Sequence, residues 1–273
     1  MNTSDTVFAG SIPEVYDALL VPLIFEPYAE DIARRVTACK PTRVLETAAG
    51  TGVVTRALAR LLPASCEIVA TDLNQPMLDR AAAIGTAHAV QWQATDALQL
   101  PFDDASFDVV VCQFGVMFFA DKARAYAQAR RVLRPGGVFV FNAWDRIEDN
   151  EFADVVTQAL ATVFPDDPPR FMARTPHGYY DVQMITRDLA QGGFNAAPGI
   201  DTVATRSRAA SPLIPAMAYC QGTPLRSEIE ARCASHGTSL AEATAAAAKA
   251  IAERFGDGAV DAKIQARVVK AFA

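Results

Sequence analysis

The sequence predicts an α/β protein built on a mainly parallel sheet with helices on both faces. Three observations carry this reading. Five short runs of apolar and β-branched residues recur between Arg43 and Trp144, and they read as the near-continuous apolar stretches of strands buried on both faces. Helical patterns separate these runs, which is the alternation of a parallel sheet with crossover helices. The crossovers are right-handed by default, so every strand's C-terminal end falls on one edge, where open α/β sheets bind ligands.

Ahead of these strands, "SIPEVYDALLVPLIFEPYAEDIARRVTA" (11–38) reads as two helices. Ser11 and Glu14 have capping-box spacing, and Pro13 falls in the first turn, where its missing N–H is harmless. Pro22 and Pro27 should break or kink the continuation. The strands are "RVLET" (43–47), "EIVAT" (67–71), "AVQWQAT" (89–95), "FDVVVCQF" (107–114) and "GVFVFNAW" (137–144). The helices between them are "VVTRALARLL", "QPMLDRAAAI" and "KARAYAQARRVL". After them, "NEFADVVTQALATVF" is helical, and the irregular "PDDPPRFMARTPHGYYD" follows. A short helix, "VQMITRDLAQ", stops at Gly192–Gly193, and "GIDTVATRSR" suits a strand. "SLAEATAAAAKAIAERF" is a helix with a capping box at Ser239 and Glu242, and "AKIQARVVKAF" suits a final strand.

Composition narrows the function classes. The 273 residues carry a formal charge of −6, which advertises no basic face for nucleic acid. The five cysteines are scattered without a C-x-x-C pair, and the three histidines are isolated. That suits free thiols in a reducing cytosol and no metal site. "MNTSDTVFAG" lacks the basic and apolar regions of a signal peptide, and "VVVCQFGVMFFA" is too short to span a bilayer. The expectation is a cytoplasmic protein with no membrane partner.

Chemistry concentrates in "LETAAGTG" (45–52), where a strand runs through a glycine-bearing turn into a helix. Glycines let backbone approach a ligand, and the helix N-terminus offers free N–H groups. The plain alternative is a tight turn with no ligand. Two cofactors compete for it. A dinucleotide site wants G-x-G-x-x-G, but Thr55 stands where the third glycine belongs. The pattern E-x-G-x-G-x-G is met by Glu46, Gly50 and Gly52, with Ala48 as the exception. Asp72 follows about twenty residues later, where an acid accepts from ribose hydroxyls in either cofactor class; it would equally serve as a helix N-cap. Asp96 after the third strand and a Pro–Gly–Gly turn before the fifth discriminate between the two.

The ordered set "LETAAGTG", "ATDLNQPML", "ATDALQLPFDDASFDVVVC" and "RVLRPGGVFVF" resembles a class I S-adenosylmethionine-dependent methyltransferase, and is most similar to small-molecule enzymes of the UbiE/type 11 kind. The likeness is tight over residues 40–145 and loose outside them. It implies a Rossmann-like seven-stranded sheet, mostly parallel with the last strand antiparallel, in a single domain. Residues 1–40 would be a helical lid, 41–147 the cofactor core, 148–195 a substrate-side segment and 211–257 a helical insertion between the last two strands. That insertion would roof the site or pair with a second subunit.

By position, the resemblance implies that Glu46, Ala48, Gly50 and Gly52 cradle the methionine part of S-adenosylmethionine, whose product is S-adenosylhomocysteine. Asp72 would bind the ribose, Leu73 and Met77 would flank the adenine, and Asp96 and Ala97 would hydrogen-bond it. Gln113 would face the methionine end, with Tyr16 and Tyr28 closing over the cofactor or packing in the core. Phe114, Met117, Phe118, Trp144 and Tyr180 would wall a small-molecule pocket, with His177 as candidate base and Tyr179 beside it. Ala48 is expected at negative φ, its methyl turned away from the methionine moiety. Competing readings are a nicotinamide-dependent oxidoreductase and a non-catalytic cofactor-binding module.

Overall fold

The computed structural model describes Asp5, Gly10 and residues 12–273. Seven strands form one sheet: β1 (Arg43–Thr47), β2 (Glu67–Asp72), β3 (Gln91–Ala94), β4 (Phe107–Gln113), β5 (Leu133–Trp144), β6 (Gly199–Ala209) and β7 (Val260–Phe272). Their order is β3-β2-β1-β4-β5-β7-β6. The first five pair in parallel, and β7 runs antiparallel to β5, from Val138 opposite Phe272 to Trp144 opposite Ala266. The helices are α1 (Ile12–Val15), α2 (Glu26–Ala38), α3 (Val53–Leu61), α4 (Gln75–Ile84), α5 (Lys122–Val132), α6 (Glu151–Val163), α7 (Phe171–Arg174), α8 (Val182–Gln191), α9 (Leu213–Gln221), α10 (Leu225–His236) and α11 (Leu240–Phe255).

The chain divides into two compact units. The first comprises residues 1–25, 145–178 and 204–265, and the second residues 26–144, 179–203 and 266–273.

The second unit holds the parallel strands. Period-2 alternation sorts their side chains to two faces. Val44, Val109, Val111, Val138 and Val140 meet Ile32 and Val36 of α2 and Val54 and Leu58 of α3 in one buried cluster. On the other face, Tyr126 of α5 lies 5.6 Å from Phe139 and 5.5 Å from Phe141, with Phe194 5.9 Å from Phe139. Each such side chain contributes about 1.5–3 kcal/mol of burial free energy, so the sheet is clamped from both sides.

Two details differ from expectation. β3 is not buried on both faces: three of its four residues are exposed, because it is the sheet's edge and has a neighbour only in β2. The Pro–Gly–Gly stretch lies inside β5, where pairing to β4 jumps from Phe107–Leu133 to Val109–Val138. The intervening residues form a bulge with Gly136 at φ 77°.

The first unit is mostly helical. Pro22 sits within a π-helical run, Tyr16–Phe25, which absorbs the proline that an α-helix would not. Ser11, the expected cap, lies outside the described residues. α9, α10 and α11 fill the segment between β6 and β7. The capping box at α11 is present in both directions, Glu242 N–H to Ser239 Oγ at 3.2 Å and Ser239 N–H to Glu242 Oε2 at 2.9 Å. Among the described residues, no helix is long and apolar enough to cross a membrane.

Candidate cofactor site

β1, β2, β3, β4 and β5 end along one edge of the second unit. β1 delivers Glu46 and then the loop to Gly52, β2 delivers Asp72, and Asp96 follows β3. β4 ends at Gln113, opposite Asn142 of β5.

The loop is braced from two directions. Gly50 N–H donates to Asp72 Oδ2 at 2.9 Å, and Asn74 N–H donates to Oδ1 at 2.8 Å. Asp72 therefore pins the turn rather than capping α4, whose N-cap is Asn74. Burial raises the Asp72 pKa, against the pull of these donors. Arg56 meanwhile holds the Thr51 carbonyl at 2.6 Å.

Ala48 corrects the expectation made for it. Its φ is +53°, in the left-handed region that costs an L-residue about 1–2 kcal/mol. The physical reason lies across the sheet. A Cβ added at Gly115 would fall 2.4 Å from the Ala48 Cβ, so Gly115 supplies the room that the missing loop glycine would have left. Gly52 is required for a related reason. At φ +79°, a Cβ there would meet Trp92 at 2.9 Å and Ala81 at 3.0 Å. Its side-chain-free Cα lets the loop sit against these two residues.

Glu46 is buried, with only a hydroxyl as its nearest donor: Thr55 Oγ1 donates to Oε2 at 2.6 Å. Burial pushes the Glu46 carboxyl up to about 8. Thr55, marked in the sequence only as a lost glycine, is therefore part of the site. Two more polar groups escaped sequence reading. Thr51 Oγ1 and Asn142 Nδ2 are buried with no hydrogen-bond partner among the described residues. Such orphans are costly unless a ligand or water completes them. The Asn142 carbonyl and Oδ1 both accept from the Phe114 N–H, at 3.2 and 2.8 Å.

Asp96 is exposed and turns its carboxylate onto Leu98 N–H at 2.9 Å, while Leu73 stands 59% exposed and Met77 is buried. Loop N–H groups, two carboxylates at neighbouring strand ends, an exposed leucine and an orphaned hydroxyl suit a ligand with polar and flat apolar parts. They fit the expected cofactor.

The proposed pocket walls are mostly closed on one another. Phe114, at φ +51°, stacks on Trp144 with centroids 3.7 Å apart, and Tyr28 meets both edge-on at 5.2 and 5.3 Å. Tyr28 donates its hydroxyl to the Val203 carbonyl at 3.0 Å. Met117 is buried, its Sδ accepting from Trp144 N–H at 3.3 Å, while Phe118 and Tyr180 are half-buried. Tyr179 is buried with its hydroxyl donated to Asp188 at 2.9 Å and bonded to Tyr126, and its pKa is raised by burial. Tyr16 and His177 belong to the first unit. Tyr16 is half-buried against Phe25, 5.1 Å away. His177 donates Nδ1–H to the Asp145 carbonyl at 2.9 Å, and burial lowers its pKa to about 4. An imidazole with so low a pKa is a weak proton acceptor at neutrality.

Comparison with known proteins adds the chemistry. Residues 45–141 match a family model described as a methyltransferase domain. The chain is 42% identical over 110 residues to the demethylmenaquinone methyltransferase of Deinococcus radiodurans, covering 40% of this chain and 45% of that protein. It is 30% identical over 164 residues to the ubiquinone/menaquinone biosynthesis C-methyltransferase UbiE of Ralstonia pickettii, covering 56% of this chain and 68% of that protein. The chain spans about half the length of the curated relatives it matches. In fold, it is similar to the YcgJ protein of Bacillus subtilis, with a TM-score of 0.55 and 16% identity over 90% of this chain and 98% of that one.

Proposed function

From the premise that this chain belongs to the UbiE type of class I S-adenosylmethionine-dependent methyltransferases, we propose that it methylates a small-molecule acceptor at the strand-end site. The observation that carries the reading is the bond from Gly50 N–H to Asp72, which ties the loop to the carboxylate that would meet the ribose. The names of the two relatives point to a quinone-type ring carbon as acceptor.

S-adenosylmethionine supplies an already activated methyl group, so the protein's contribution is orientation and exclusion of water. Glu46, Gly50, Gly52 and the unpartnered Thr51 hydroxyl would hold the methionine part, with Ala48 turned toward Gly115. Asp72 would accept from the ribose hydroxyls. Leu73 and Met77 would flank the adenine, with Asp96 and the Ala97 N–H at its edge. Gln113 would face the methionine end. The acceptor must lie in line with the bond that breaks, within about 3–3.5 Å. Phe114, Met117, Phe118, Trp144 and Tyr180 would set the apolar side of that approach. No protein nucleophile is required. The five unpaired cysteines support a reducing, cytoplasmic setting.

Calorimetric titration with S-adenosylmethionine and with NAD(H), followed by transfer of labelled methyl to a panel headed by a demethylated quinone, tests the proposal. Cofactor binding with a labelled quinone product is expected. Binding of NAD(H) alone would overturn the cofactor assignment, and binding without transfer to any acceptor would point to a non-catalytic module.

A further inference from the structure

Thr55 stands in the first turn of α3 and is fully buried. Its hydroxyl meets Glu46 Oε2 at 2.6 Å, and a second hydroxyl, on Thr71, fixes the Glu46 carbonyl at 3.0 Å. Among the described residues, no lysine, arginine or histidine forms an ion pair with Glu46. The charged or titratable groups that act on it are few. Arg56 of α3 favours its ionised form, but its guanidinium is bonded to the Thr51 carbonyl. Asp72 of β2 opposes ionisation, and Cys112 of β4 is buried and itself far above its ordinary thiol range. A buried carboxyl in such surroundings keeps its proton until a cation arrives.

We propose that Thr55 is a positioning residue that aims the Glu46 carboxyl, and that Glu46 yields its proton to solvent when the ammonium group of an S-adenosyl ligand enters the loop. This rests on the reading of the loop as an S-adenosylmethionine site. The step breaks the carboxyl O–H bond, sends the proton to water and leaves a carboxylate facing the ammonium, with no change of oxidation state. The ammonium is common to methyl donor and product, so both ligands should release the proton. Thr55 donates to the oxygen that becomes charged, which eases ionisation at a position where glycine would offer nothing.

The test is isothermal titration calorimetry of the whole chain with S-adenosylmethionine and, separately, S-adenosylhomocysteine. Two buffers of different ionisation enthalpy give the proton count. With Glu46 at about 8 in the free protein, about nine-tenths of a proton should be released per ligand at pH 7, where the ligand's own amine is already mostly ammonium. Glu46→Gln should bind with no release. Thr55→Val should weaken binding at pH 7 about tenfold and move the affinity–pH profile to higher pH, and Thr55→Ser should restore both. An unchanged proton count in Glu46→Gln, or release with the methyl donor alone, would overturn the proton assignment. An unmoved profile in Thr55→Val, checked as folded by circular dichroism, would overturn the positioning role. A wild-type chain that bound neither ligand would instead remove the cofactor reading beneath both.

Discussion

Adding one methyl group at Gly115, and removing one at Ala48, tests the account of the missing loop glycine. Gly115 has an ordinary φ of −95°, so Gly115→Ala carries no backbone penalty of its own. Its new Cβ would lie 2.4 Å from the Ala48 Cβ and 2.7 Å from Cys112 Sγ. A β-carbon cannot swing aside without moving backbone, so the cost should reach about 2–3 kcal/mol, the upper part of the overpacking range. Ala48→Gly relieves about 1–2 kcal/mol of left-handed strain and loses roughly 0.5–1 kcal/mol to glycine's freedom in the unfolded chain. Alone it should move stability by about 1 kcal/mol or less. In the double variant the Ala48 clash is gone and only Cys112 remains, so the two changes should couple by about 1–2 kcal/mol. Urea unfolding of the four proteins measures this, provided the slopes agree. Additivity within about 0.5 kcal/mol would refute the idea that these residues share one space.

Glu46→Gln should flatten the pH dependence of stability. The folded chain holds the Glu46 proton to about pH 8, against a reference value of 4.5, so the folded state binds more protons between these values. Stability from this group is complete below about 4.5 and falls as pH rises toward 8, by on the order of 4–5 kcal/mol if the carboxylate stays buried; superimposable denaturation profiles for variant and wild type would contradict this. Gly52→Ala should cost about 2–3 kcal/mol even without cofactor, from the positive φ and the Trp92 and Ala81 contacts, and an unchanged melting temperature would count against it. Tyr28→Phe should lose about 1 kcal/mol with the bond to the Val203 carbonyl, with cofactor affinity unchanged; a tenfold affinity loss by calorimetry would instead place Tyr28 over the cofactor.

The strands from Arg43 to Trp144 were legible because double-sided burial writes itself into local composition, and Ser239 with Glu242 because a cap is a contact three residues long. β3 misled because its apolar run resembles its neighbours' while its position at the edge is a property of the whole sheet. The sign of φ at Ala48 depends on Gly115, sixty-seven positions away and in contact only after β1 and β4 pair. Thr55 shows the same gap. Its place in the glycine pattern was visible, but its bond to Glu46 needs the turn to have closed. His177 has breaker-rich neighbours and so reads as a loop residue, yet its ring is buried and bonded to the Asp145 carbonyl, a partner thirty-two residues earlier.

The Asp72 carboxylate carries one further consequence. An ionised carboxylate offers about four lone-pair directions. Oδ2 already receives Gly50 N–H, while Oδ1 receives Asn74 N–H and, more distantly, the Asn74 side-chain amide at 3.4 Å. The Leu73 N–H bonds to the carboxylate as well, so a vicinal diol competes with protein donors there, the distant Asn74 amide first among them. Asparagine at 72 would turn a donor toward either Gly50 or Asn74, and glutamate would push both oxygens past them by a methylene. The identity of this residue is thus set twice, by the loop's own geometry and by any ligand it accepts. A loss of affinity on replacing it is to be attributed only after the loop has been shown to keep its shape.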